Sequence, residues 1–134
     1  MPAGFIQNAT YGTARVLLLA GVAGCESLEP CLKRGFPYLK TIQNGDGCWG
    51  GGSGTPSSIE QTALACEALS REPESDGEAL RRGLDWLCRA TAHGTKFPPS
   101  PIGFYFANLW YHEQLYPLIF TVAAFERSHG TADV

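Results

Sequence analysis

The stretch Arg34–Trp49, RGFPYLKTIQNGDGCW, carries the reading of the whole chain. Phe36, Leu39 and Gln43 are spaced one helical turn apart, which puts them on one side of a helix. The helix breaks at Asn44-Gly45-Asp46-Gly47, where two glycines are expected to supply positive φ angles. Trp49 follows at once. The Gln43 amide can reach backbone groups left open at helix ends, and the indole can cover it. A helix, a Gly-Asp-Gly turn and a tryptophan lid therefore form a unit that clamps one helix to the next.

The unit recurs. Arg82-Gly83-x-x-Trp86-Leu87 matches Arg34-Gly35-x-x-Tyr38-Leu39 at an offset of 48. Carried forward, the Gln43 position holds Thr91, the Gly47 position Thr95 and the Trp49 position Phe97. The second copy has no amide at the clamp position, so Thr91→Ala is expected to cost less than Gln43→Ala. Around these copies, Thr13 to Ala23 reads as a helix apolar on every side, which must be enclosed. Ser58 to Gln61 reads as a capping box for a third helix, and Ser75 with Glu78 as one for the fourth. Pro30 suits a first helical turn. The aromatic stretch from Phe104 to Phe125 is read as a break followed by a last helix that begins near Tyr111 and tolerates Pro117 early. Five helices and no useful period-2 alternation give an all-α fold. Two helix-turn-helix units suit a partial α/α-toroid, in which inner and outer helices alternate.

Composition narrows the function. A chain of 134 residues makes one domain, 1–134. A net charge of −3 argues against nucleic acid as a partner. The apolar run from Val16 to Ala23 is too short for a membrane span, and the start of the chain has no signal-peptide pattern. Five cysteines without CxxC spacing read as reduced thiols used as small apolar residues. A cytoplasmic location is the expectation, with contact at the periphery of a membrane left open. No Gly-x-Ser-x-Gly elbow supports serine hydrolase chemistry.

The matched positions Arg34, Gly35, Gln43, Gly47 and Trp49 make the stretch similar to the QW repeat of the squalene-hopene and oxidosqualene cyclases, terpene cyclases of the isomerase class. Thr55-Pro56-Ser57, Gln61-Thr62-Ala63, Gly94-Thr95-x-Phe97-Pro98 and Tyr116-Pro117-Leu118 extend the resemblance over nearly all of the chain, as a C-terminal segment of such a cyclase. It implies a polyprenoid substrate resembling squalene, no cofactor, and the rest of a cyclase barrel, or another chain, as partner. It also implies a pocket wall of aromatic rings whose π faces stabilise carbocations. Phe97 falls on a pocket aromatic of the family, and Phe104 or Tyr105 on a second. Phe5 stands where the family has a tryptophan. Counting back from Pro117 puts Leu109 and His112 at tyrosine positions, with Tyr111 serving if the register shifts by one. The initiating Asp-x-Asp-Asp acid of the family has no counterpart, since no two aspartates lie within three residues of each other. The isolated chain is therefore expected to be inactive, with no catalytic residue of its own.

Two other readings compete. Asp46-Gly47-Cys48 resembles the Asp-x-Cys of protein prenyltransferase β subunits, and with His112 it would make a zinc set open at a fourth position. Because the Trp turn of a cyclase repeat has an acidic Gly-rich sequence of its own, no metal is expected. The third reading is a non-catalytic remnant whose exposed apolar face binds a partner chain.

Overall fold

The computed structural model describes residues 9–23, 26–50, 54, 56–73, 77–97, 101–104, 109–112 and 115–132. Helix α1 is Ala9–Ala23, followed by a 3-10 turn at Glu26–Leu28; α2 is Glu29–Thr41, α3 Ile59–Leu69 and α4 Glu78–Ala90. A hairpin of β1, Pro101–Phe104, and β2, Leu109–His112, precedes the last helix α5, Leu115–Ala132. Helix α3 is central, with α1 and α5 packed on it and α2 and α4 covering α1 and α3 from outside. This is the inner and outer alternation of a partial α/α-toroid.

Small side chains explain the central helix. Ala63, Ala65, Cys66 and Ala68 of α3 are all fully buried, so three neighbours approach closely. Ser58 caps it by accepting a hydrogen bond from the Gln61 N–H at 3.2 Å. The flanking inner helices differ from expectation. In α1, Ala14, Leu17 and Ala20 are buried, but Val16 is 49% and Leu19 69% exposed. In α5, Leu118, Ile119 and Val122 are likewise exposed. These apolar faces lie at the two ends of an arc, where no described helix covers them. Among the described residues, no helix is long and apolar enough to cross a membrane.

The turn after α2 is tied to three helices. The Gln43 Nε2 donates to the Gly47 carbonyl at 2.9 Å and to the Ala79 carbonyl in the first turn of α4 at 3.0 Å. The fully buried Trp49 donates its indole N–H to the Leu39 carbonyl of α2 at 2.7 Å. Its main-chain N–H goes to the Thr62 hydroxyl of α3 at 2.9 Å, and that hydroxyl lies 3.2 Å from the Trp49 carbonyl. The ring rests on Gly83 of α4: a Cβ there would stand 2.8 Å from Trp49 Cζ3 and 2.6 Å from Cys66 Sγ. The Arg82 Nη2 donates to the Gly45 carbonyl at 2.9 Å. The basic-Gly pair of one repeat is thus the seat for the tryptophan of the repeat before it.

Several expectations are corrected. Only Gly47 of the two turn glycines has a positive φ, 96°; Gly45 keeps an ordinary φ, and a Cβ there would meet nothing within 4 Å. Helix α4 is preceded by Gly77 in a left-handed conformation with no side-chain cap, in place of a Ser75 box; Ser75 itself lies outside the described residues. Helix α1 starts four residues before Thr13. Tyr111 belongs to a strand, paired with Ile102, and α5 begins only at Leu115.

Glycine substitutions should separate seat from spacer. Gly83→Ala, driven into Cys66 and Trp49, should lower stability by about 1–3 kcal/mol. Gly12→Ala, with nothing within 4 Å of its would-be Cβ, should raise it by about 0.5–1 kcal/mol through helix propensity. Urea melts check the opposite signs. Trp49→Ala should lose about 3–5 kcal/mol from a total on the order of 5–15 kcal/mol. Gln43→Ala, which removes both hydrogen bonds of the Nε2 amide, should lose about 1–3 kcal/mol.

Candidate functional site

The second copy of the turn is built differently and opens a cavity. Thr91, at the Gln43 position, is buried; its hydroxyl donates to the Leu87 carbonyl at 2.7 Å and accepts from the Gly94 N–H at 3.1 Å. Thr91 therefore closes the end of its own helix and reaches no neighbour. The expected contrast with Gln43 is reduced, since Thr91→Ala also breaks two hydrogen bonds. Ala92, His93 and Gly94 all take positive φ, which costs energy at the first two. Phe97, at the Trp49 position, is half-buried and borders a cavity of about 490 Å³ walled by Leu118, Thr121, Val122 and Phe125 of α5. Thr121 of α5 lines this cavity together with Phe97, and the hairpin lies between the two in the chain. The buried Thr121 hydroxyl has no hydrogen-bond partner among the described residues.

The remaining aromatic candidates fall on or beside the hairpin. Phe104 ends β1 opposite Leu109, Tyr111 faces Ile102 and His112 faces Pro101 across the antiparallel pair. Phe5 and Tyr105 lie outside the described residues. The hairpin thus brings positions 104, 109, 111 and 112 onto one two-stranded unit, ahead of α5 and after the Phe97 turn. Alternation over four-residue strands was too short a signal to find it.

A second feature went unread in the sequence. A cavity of about 460 Å³ is lined by Tyr11, Arg15, Glu67, Arg71 and Arg127. The Arg15 guanidinium lies 5.5 Å from the Tyr11 ring centroid and 6.0 Å from that of Phe120, within cation–π range. Arg127 pairs with the buried Glu67 at 3.6 Å. The i,i+4 spacing of Tyr11 and Arg15 was the available signal, and starting the helix at Thr13 concealed it.

Asp46 and Cys48 do not suit a metal. The Cys48 thiol donates to the Asp46 carboxylate, which also accepts from the Cys48 N–H at 3.2 Å. Ser57 Oγ stands 3.4 Å from both carboxylate oxygens. The thiol hydrogen bond, the largest influence, holds the Asp46 pKa below its ordinary value. Burial first, and the Asp46 contact second, push the Cys48 thiol up to about 12. The thiol is thus taken up by a carboxylate inside the Trp turn, where Cys48 is fully buried. No group of three His, Cys, Asp or Glu residues suited to a metal occurs among the described residues.

Two outcomes check this local chemistry. Cys31 is exposed while Cys48 and Cys66 are buried free thiols, and burial raises both buried pKa values. Iodoacetamide at neutral pH should alkylate Cys31 in the native protein and reach Cys48 and Cys66 only after unfolding, as read by peptide mass. For Asp46 the folded pKa is depressed, so its stabilisation is present above the unfolded value, about 3.9, and fades as pH falls through the folded value. The stability gap between wild type and Asp46→Asn should therefore be widest near neutral pH and narrow below about pH 4.

Comparison with known proteins fits this architecture. The squalene-hopene cyclase C-terminal domain matches residues 4–129. The squalene–hopene cyclase of Bradyrhizobium diazoefficiens is 35% identical over 92 residues, 60% of this chain and 14% of that protein. That of Zymomonas mobilis is 32% identical over 93 residues, 61% of this chain and 14% of that protein. The drimenyl diphosphate synthase of Streptomyces showdoensis is 39% identical over 87 residues, 60% of this chain and 16% of that protein. The chain thus spans only a small part of these relatives. With residues 4–129 matched, the chain belongs to the squalene-hopene cyclase C-terminal domain family, a terpene-cyclase domain.

Proposed function

We propose that residues 1–134 act as a single domain, the C-terminal part of a squalene-cyclase-like α/α barrel, and supply aromatic wall to a pocket in which a linear polyprenoid is cyclised. The observation that carries this is the cavity beside Phe97. Its walls are mostly carbon, with two rings, Phe97 and Phe125, at the point where the second turn leads into the aromatic hairpin. An aromatic face attracts a passing cation without the lone pair that would trap it as a nucleophile. Phe104, Tyr111 and His112 on the hairpin, with Tyr105 and Phe5, extend the wall in this reading. They act by shape and by charge stabilisation, and none is a proton donor to the substrate's alkene.

The initiating acid must come from outside this chain. Asp46 is held as a carboxylate by the Cys48 and Ser57 contacts, and a carboxylate with a depressed pKa is a poor proton donor at neutral pH. The rest of a barrel would supply both the acid and the facing wall. Similarity to both squalene–hopene cyclases and a drimenyl diphosphate synthase leaves two substrate classes, a hydrocarbon polyene and a prenyl diphosphate.

A chimera tests the reading. This chain should replace the matching C-terminal segment of the Bradyrhizobium cyclase, and the product should be offered squalene or a linear prenyl diphosphate. Cyclised product by gas chromatography–mass spectrometry is expected, with Phe97→Ala lowering its yield or shifting its distribution. A folded chimera that cyclises neither substrate overturns the proposal. The isolated chain should give no product above a heat-killed control.

A further inference from the structure

The cavity of about 460 Å³ among α1, α3 and α5 plays no part in the reading above. Arg15 of α1, Arg71 just past the end of α3 and Arg127 of α5 all line it, with Glu67 of α3. Three guanidiniums against one carboxylate leave a surplus of two positive charges. Glu67 is buried and pairs with Arg127 at 3.6 Å, so it leaves the other two arginines unmatched. Arg71 has no ion pair among the described residues, and its guanidinium is not needed to close α3. The last four carbonyls of that helix are already taken. Cys66 accepts from the Ser70 N–H at 2.9 Å, Glu67 from the Ser70 hydroxyl at 2.6 Å, Ala68 from the Arg71 main-chain N–H at 3.0 Å and Leu69 from the Glu72 N–H at 3.1 Å. Arg15 is held by rings instead of a carboxylate, 5.5 Å from the Tyr11 centroid and 6.0 Å from that of Phe120. Ring contacts fix a guanidinium in place and leave the N–H groups at its edge open to an acceptor. This cavity is separate from the one beside Phe97. Leu118, Thr121, Val122 and Phe125 wall that one, an i, i+3, i+4, i+7 stripe of α5. Phe120 and Arg127, seven residues apart, fall on the opposite side of the same helix.

We propose that the cavity among α1, α3 and α5 binds a phosphate-type dianion, a phosphomonoester or diphosphate group. Charge selects it: the surplus of two positive charges matches a group that carries about −1.5 to −2 near neutral pH. Geometry selects it as well. A phosphoryl group offers three terminal oxygens, one for each guanidinium, where a carboxylate offers two. Arg15 and Arg71 supply donors that no carboxylate engages, and Arg127 shares its guanidinium between Glu67 and the ligand. Carbon from Tyr11 and Leu18 in the wall lowers the local dielectric and strengthens each contact. The proposal does not depend on the barrel reading, because the two cavities lie on opposite sides of α5. A phosphorylated solute and the headgroup of a phosphomonoester lipid present the same chemistry, so the test has an arm for each.

The test titrates the full chain with sodium diphosphate and with inorganic phosphate by isothermal calorimetry at low salt. A second arm measures co-sedimentation with vesicles of phosphatidylcholine containing phosphatidic acid, against vesicles of phosphatidylcholine alone. One-to-one binding of diphosphate is expected, weakened about tenfold or more by Arg15→Gln and by Arg71→Gln, as the loss of one charge-assisted contact requires. Arg81→Gln removes an exposed charge on α4 that is engaged with Glu78 and Asp85, and it should leave binding unchanged. Arg127 is kept in every variant, since its loss would leave Glu67 buried without its cation. Should one variant lose its helical far-ultraviolet dichroism, the other decides. Vesicle binding that requires phosphatidic acid, is displaced by diphosphate and is lost in Arg71→Gln assigns the site to a lipid headgroup. Diphosphate binding without vesicle binding assigns it to a soluble ligand. The proposal is overturned if neither anion nor either vesicle binds, and equally if Arg15→Gln and Arg71→Gln weaken binding no more than Arg81→Gln does. None of these readouts uses cyclisation, so an inactive chimera and an empty anion site are separate failures.

Discussion

The missing side chain at Gly83 is the constraint on which this structure turns. A buried indole needs a flat place to lie and a hydrogen-bond acceptor for its N–H. Gly83 gives Trp49 the first, and the Leu39 carbonyl gives it the second. Its peptide is then held by Thr62. One residue so placed fixes α2, α3 and α4 together, although α2 and α4 make few contacts of their own. Gln43 completes the arrangement by bridging two carbonyls, one in its own turn and one in α4. The stability of the arc is therefore concentrated in polar contacts at its turns as much as in its apolar core.

That concentration explains what was legible in the sequence. Gln43, Gly47 and Trp49 could be read because a turn with a steric demand accepts few residue types, and their spacing is local. Gly35 and Gly83 could be read only as positions in a repeat, since the atoms that exclude a Cβ there come from other helices, Leu17 in one case and Trp49 with Cys66 in the other. The exposed face of α1 was misread for a related reason. Apolar residues on every side imply cover, but they do not say whether the described part of the chain supplies it, and Val16 and Leu19 show that it does not. The hairpin escaped because its pairing lies across a short gap between strands of four residues, and Pro117 with the aromatic run fitted a helix equally well.

The pair Asp46 and Cys48 shows how spacing alone can mislead about chemistry. Asp-x-Cys is a spacing that a metal could use, yet the turn brings the two side chains onto each other, so each satisfies the other's hydrogen-bonding capacity. The carboxylate is pulled towards its charged form and the thiol towards its neutral form. These opposed shifts are what a structural turn produces: the proton stays on sulfur, and the charge stays on oxygen near the surface. A nucleophilic or metal-binding cysteine would need the reverse at sulfur.

The two copies of the turn differ in how firmly they fasten their helices. In the first, glutamine, glycine and tryptophan fill the space between helices, and the tryptophan is fully buried. In the second, threonine at 91 folds its hydroxyl back onto its own helix, and phenylalanine at 97 is smaller and has no N–H to satisfy. No cross-helix amide clamp stands at this turn, the buried Thr121 hydroxyl has no hydrogen-bond partner among the described residues, and a hairpin rich in aromatic residues enters before α5. Each change weakens the repeat as a fastener, and together they leave a carbon-lined space with aromatic edges. A site of that kind can form in a stack of helix pairs only where one fastening turn has been relaxed, and in this chain the neighbouring turn is complete enough to hold the helices on either side of it.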